Sequence, residues 1–121
     1  MKLHQAVAGG NTFTGYGADY VAVNGVRREK SSIVLVDRIL DWDVAGFDAL
    51  DAKDFAVFET LDAEIVLLGT GAKQRFPHPR LTAKLAKAGI GVEVMDLQAA
   101  CRTYNILVAE ERKVAAALLF G

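Results

Sequence analysis

The sequence predicts a three-layer α/β domain built on a mixed, partly parallel sheet, with a β-hairpin layer contributed by the N-terminal third. Three observations carry that expectation. Short β-prone runs separated by turn residues fill the first third. An Asn24-Gly25 pair sits between two such runs. After Asp62 the pattern becomes apolar strand, turn and helix, then repeats.

The N-terminal runs are Phe13 to Tyr16, Tyr20 to Val23, Val26 to Glu29 and Ile33 to Val36. Asn24-Gly25 predicts a type I′ hairpin turn, because both central positions of that turn need positive φ. Val21 and Val23 alternate with Tyr20, Ala22 and Asn24, the pattern of a half-buried strand. Ile39 to Trp42 is expected to add a short edge strand. Asp51 is placed to cap a helix over Ala52 to Leu61, with Phe55, Phe58 and Leu61 on one face. Ile65 to Leu68 reads as a buried strand, and Arg80 to Ala88 as a helix closed by Gly89. Val92 to Met95 is the next strand. Asp96 then caps a longer helix, roughly Leu97 to Glu111, and Val114 to Phe120 returns as a final strand. Connections this short imply adjacent, largely parallel strands joined by right-handed crossovers.

Composition narrows the function classes. The chain has 121 residues, 52% of them hydrophobic, enough for one domain with a substantial core. Fourteen basic and fifteen acidic residues leave a net charge of −1, which supplies no global field for nucleic acid. The longest apolar run, Val114 to Phe120, is far short of the roughly 20 residues that span a bilayer. The first residues form neither a signal core nor an Arg- and Ser-rich address, so a cytoplasmic protein is expected, without direct membrane insertion and peripheral to the inner membrane only through a partner. One cysteine, Cys101, excludes an intramolecular disulfide.

The most informative stretch runs from Leu67 to Arg80. A strand ends at Gly69-Thr70-Gly71, and Lys73, Arg75, His78 and Arg80 follow with no acid among them. Glycines at a strand end allow successive N–H groups to converge on an acceptor, so this is a candidate anion or carboxylate site. The competing reading is a turn by which the strand leaves the sheet. The P-loop pattern is absent, and Gln74 stands where a dinucleotide fingerprint needs a third glycine, so no cofactor is expected. Pro77 and Pro79 stiffen the segment around His78, and Pro79 suits a helix entry. His78 and His4 are the two histidines, too few for a zinc site, and no metal is expected. In the helix after Asp96, Leu97, Ala100, Cys101, Tyr104 and Leu107 or Val108 form an apolar face that holds Cys101 as an inert thiol. Arg102 and Asn105 lie beside that face, and Arg102 either reaches the Gly-Thr-Gly turn or pairs on the surface. No nucleophile–base pair or acid–base dyad stands out.

Four segments resemble one family: Asn11-Thr12-Phe13; Leu67 to Gly71 with Arg75-Phe76; Gly89 to Met95; and Ala99 to Asn105. The chain is identified as a member of domain-of-unknown-function family 498 from about Asn11 to Leu119. The resemblance implies a three-layer α/β fold around a mixed sheet with an extra β layer. The family's eukaryotic members include a mitochondrial assembly factor for respiratory complex I and an adipogenesis-associated protein, and no established catalytic residues carry over. The resemblance therefore implies a non-enzymatic module that binds a protein, either a respiratory-complex subunit or an assembly protein. The alternative is a small-anion or metabolite-binding protein or enzyme using Gly69-Thr70-Gly71 with Arg75 or Arg102.

Overall fold

The computed structural model describes residues 10–120. Strands β1 (Phe13–Tyr16), β2 (Val21–Val23) and β3 (Val26–Arg28) form an antiparallel sheet in the order β1-β2-β3. Strands β4 (Ser32–Leu35), β5 (Arg38–Asp41), β6 (Ile65–Gly69), β7 (Gly91–Met95) and β8 (Val114–Leu118) form a second sheet in the order β5-β4-β8-β6-β7. In this sheet β6 runs parallel to both β7 and β8, while β4 is antiparallel to β5 and β8. The mixed sheet and the hairpin layer are as the sequence predicts. The Asn24-Gly25 turn has φ of 51° and 83°, the positive pair that a type I′ turn demands.

The helical connections are α1 (Ala83–Lys87) and α2 (Leu97–Ala109), with 3₁₀ segments η1 (Phe47–Ala49), η2 (Ala52–Thr60) and η3 (Pro79–Leu81). Three expectations need correction. The segment from Ala52 is a 3₁₀ helix, and the one near Arg80 divides into η3 and the short α1. For η2 the cause is legible: Phe55, Phe58 and Leu61 recur every third residue and are buried, and a helix with three residues per turn aligns them on one line. Asp51 starts it as expected, its carboxylate accepting the Ala52 N–H at 2.7 Å while Asp54 accepts the Asp51 N–H at 2.8 Å. The third correction concerns adjacency. Strands β7 and β8 do not touch; each pairs with β6, which makes β6 the point where the chain turns from one side of the sheet to the other.

Alternation along the central strands feeds two cores. Val66, Leu68, Ala115 and Ala117 face Phe55, Phe58, Trp42 and Leu85 on one side. Leu67, Ala116 and Leu118 face Leu97, Ala100, Cys101 and Tyr104 of α2, together with Phe13, Val21 and Val23 of the hairpin layer, on the other. Every residue of β8 is buried, and its three alanines let both covering layers approach closely.

Helix α2 ends in a Schellman arrangement, with the Arg112 N–H donating to the Leu107 carbonyl at 2.9 Å and the Glu111 N–H to the Val108 carbonyl at 2.9 Å. Its left-handed position is Glu111, at φ 63°, where glycine is favoured. A carboxylate there also faces the negative end of the helix dipole. Glu111→Gly is therefore expected to stabilise the protein by about 0.5–1 kcal/mol, read as a higher urea midpoint.

Candidate functional site

The Gly-Thr-Gly segment lies at the carboxyl end of β6, where the strand order reverses, the position at which open α/β sheets take ligands. Each of its residues holds neighbouring elements together. A Cβ on Gly69 would sit 3.0 Å from Leu118 Cδ2 and 3.1 Å from Ala100 Cβ, so glycine lets α2 approach the sheet. The Gly69 carbonyl accepts the Leu119 N–H at 2.9 Å. Thr70 is buried; its N–H donates to the Met95 carbonyl at 2.9 Å, and its hydroxyl donates to the Lys73 carbonyl at 2.6 Å while accepting the Arg75 N–H at 3.0 Å. Gly71, at φ 92°, turns its carbonyl to the Leu97 N–H at 2.8 Å, satisfying a donor of the first turn of α2. Gly69→Val is expected to cost about 1–3 kcal/mol through overpacking against Leu118 and Ala100, checked by urea unfolding.

The structure brings only part of the candidate set together. Thr70, Gly71, Lys73 and Arg75 line one open depression of about 580 Å³, with Asp19 and Phe120 opposite. The Arg75 guanidinium rests 4.5 Å from the centre of the Phe47 ring, a cation–π contact that fixes its direction. Asp19 in the depression and Phe47 under Arg75 had no signal in the local sequence, because both come from distant parts of the chain. The other candidates lie elsewhere. Exposed His78 caps η3, its Nδ1 accepting the Arg80 N–H at 3.1 Å. Arg80 lines a second groove, of about 330 Å³, with Lys53, Lys84, Glu59 and Phe55. Arg102 is exposed on α2 and lines neither hollow. His4 lies outside the described residues, and among the described residues no three His, Cys, Asp or Glu side chains gather as a metal site.

Asn105 clips α2 to the hairpin layer. Its Oδ1 accepts the Phe13 N–H at 2.9 Å and its Nδ2 donates to the Phe13 carbonyl at 2.8 Å. From the preceding residue, the Tyr104 hydroxyl donates to the Asn11 carbonyl at 2.9 Å, and Asn11 Nδ2 donates to the Leu35 carbonyl at 2.8 Å. Asn24 completes the network by donating to Asn11 Oδ1 at 3.0 Å. The signal for this clip was present: an asparagine inside a helix is a poor helix former unless its amide bonds elsewhere.

Cys101 is fully buried, and burial pushes its thiol from an ordinary 9.0 up to about 12. A thiol so protonated is a weak nucleophile at neutral pH. Native protein at pH 8 is expected to resist iodoacetamide, with rapid alkylation on unfolding in urea. Above about pH 9 the unfolded thiol ionises while the folded one stays neutral, so stability falls as pH rises through that range. Cys101→Ala should lessen that alkaline loss.

Comparison with known proteins gives this geometry a context. The family profile of proteins of unknown function designated DUF498/DUF598 matches residues 13–119. The chain belongs to the DUF498/DUF598 family. It is 32% identical over 119 residues to the zebrafish (Danio rerio) NADH dehydrogenase [ubiquinone] 1 alpha subcomplex assembly factor 3, covering 97% of this chain and 68% of that one. The Xenopus tropicalis protein of the same name is 31% identical and is covered to 58% of its length. The crystal structure of a Bordetella parapertussis protein superposes with a TM-score of 0.86 at 38% identity, covering 93% of this chain and 97% of that one.

For this DUF498/DUF598 chain, two of the segments that carry the family resemblance meet in space. Asn11 to Phe13 and Tyr104-Asn105 are the two sides of the clip between hairpin layer and helix. The Gly69 to Gly71 segment joins β6 to β7, α2 and the end of β8.

Proposed function

We propose that this DUF498/DUF598 chain acts in the assembly of a membrane-bound respiratory complex, by docking a protein partner and without turning over a substrate. The observation that carries the reading is the similarity to curated relatives named as complex I assembly factors, which runs over 97% of this chain in the zebrafish protein. The chain spans 58–68% of the length of the zebrafish and frog relatives, so the partner set belongs to this proposal. Two features support docking. Val26 is 65% exposed on β3, an edge strand of the hairpin sheet among the described residues. Ile106 is 58% exposed on α2. Both offer apolar contact outside the two cores.

Deletion of the gene in a host that makes complex I tests the role. Complex I content and NADH oxidation by isolated membranes are expected to fall, with an assembly intermediate captured by the tagged protein. Unchanged complex I would reject the role, and turnover by the purified protein would reject the non-enzymatic class.

A second reading is favoured by one observation, the convergence of Lys73 and Arg75 on the depression beside Thr70. Two cations at a strand-end turn suit a small carboxylate or phosphate. Thermal shift with phosphate and with dicarboxylates tests it. A concentration-dependent rise lost in Lys73→Ala supports it, and no rise rejects it.

A further inference from the structure

Between Glu64 and Glu93 the chain carries five of its 14 basic residues, Lys73, Arg75, Arg80, Lys84 and Lys87, and none of its 15 acidic ones. The ion pairs among the described residues involve Arg27, Arg28, Arg38, Arg112 and Lys113, so these five cations have no carboxylate partner there. In their midst along the chain stands Phe76, 71% exposed, the most exposed of the large apolar side chains among the described residues. Pro77 and Pro79 restrict the backbone that presents it. From Phe76 to Arg80 the chain reaches at most about 14 Å, which keeps Arg75 and Arg80 near the ring; Lys73 and Arg75 line the depression that also holds Asp19, and Arg80 and Lys84 line the groove that holds Glu59.

We infer that this segment docks on an anionic lipid surface, with the Phe76 ring entering the headgroup region and the cations that flank it in the chain facing lipid phosphates. Charge complementarity selects the occupant. A protein interface has an apolar centre of several packed side chains, whereas Phe76 is a single ring among cations. One aromatic wedge with surrounding Lys and Arg suits the boundary between headgroups and acyl chains, where basic side chains gain from the negative surface potential. The proline-restricted loop presents the ring with little conformational freedom left to lose. Glu59, which shares the groove of Arg80 and Lys84, is the one carboxylate lining it. Among the described residues no helix is long and apolar enough to cross a membrane, so this contact lies on the surface. It does not depend on the protein partner proposed above.

Sedimentation of the full chain with vesicles tests the inference, comparing phosphatidylcholine alone with phosphatidylcholine containing phosphatidylglycerol. Binding is expected only to the anionic vesicles and should weaken steeply with added salt, as screening shortens from about 10 Å at 0.1 M to about 3 Å at 1 M. Phe76→Ser should weaken binding about tenfold, the equivalent of losing burial of one large apolar side chain. Arg80→Glu with Lys84→Glu should weaken it by nearly three orders of magnitude, each lost charge being worth roughly fivefold and each reversal doubling the change. Lys30→Glu, a charge change outside the patch, should leave it intact. Circular dichroism confirms that each variant folds. A Phe76→Trp probe should shift its emission to the blue with anionic vesicles, over the constant signal of Trp42, which is buried. Equal sedimentation with neutral vesicles would overturn the inference. So would wild-type-like binding by the Arg80, Lys84 double variant, or binding confined to a soluble polyglutamate peptide.

Discussion

Asn105→Ala is expected to destabilise the protein by about 2–5 kcal/mol, because it strands two backbone groups at once. The Phe13 N–H and carbonyl both spend their hydrogen bonds on the Asn105 amide, at 2.9 and 2.8 Å. Phe13 is buried and its ring stands edge-on to Tyr104 at 5.0 Å, so water does not easily replace the lost partner. The loss should also be local. Hydrogen exchange should rise first in β1 and β2, with β6 and β8 protected until global unfolding. Asn105→Asp provides the control: it keeps the acceptor for Phe13 N–H but turns an oxygen toward the Phe13 carbonyl, so little stability should be recovered. A change within about 0.5 kcal/mol for Asn105→Ala would show that the clip contributes nothing.

Phe58→Ala is expected to cost about 3–5 kcal/mol, the range for emptying a buried aromatic site. Phe58 is fully buried between the Trp42 ring, 5.7 Å away, and the Phe55 ring, 6.1 Å away. The 3₁₀ helix η2 depends on this contact more than an α-helix would, because its hydrogen-bond geometry is poorer and packing must hold it. Trp42 reports the outcome directly. Its indole N–H donates to the Asp54 carbonyl at 3.0 Å, so it is anchored to η2. The fluorescence of Trp42 should shift to the red before global unfolding, and the thermal midpoint should fall by roughly 10–20 °C. A small change in midpoint with unaltered Trp42 emission would mean that Leu85 and Phe55 collapse into the space.

The sequence by itself determined the order and type of most elements, because local chemistry specified them. Asn24-Gly25 demanded its turn, Asp51 and Asp96 suited the caps of what followed, and the uninterrupted apolar run from Val114 read as a strand. The family resemblance was legible for the same reason, being carried by short contiguous segments. What the sequence left open was decided by pairings between residues far apart along the chain. The spacing of Phe55, Phe58 and Leu61 fits either helix type over so short a span, and packing against Trp42 and Leu85 selected three residues per turn. The adjacency of strands was likewise invisible, since only the register of β6 against both β7 and β8 places the reversal at Gly69. The candidate site divided on similar grounds. Lys73 and Arg75 remain beside Thr70 because the turn itself holds them, through the Thr70 hydroxyl. Asn105, adjacent to the candidate Arg102 in pattern, was taken by Phe13 from the opposite end of the chain. A side-chain amide in a helix declares that it needs partners, but only the folded layers decide that those partners are a backbone strand and not a ligand.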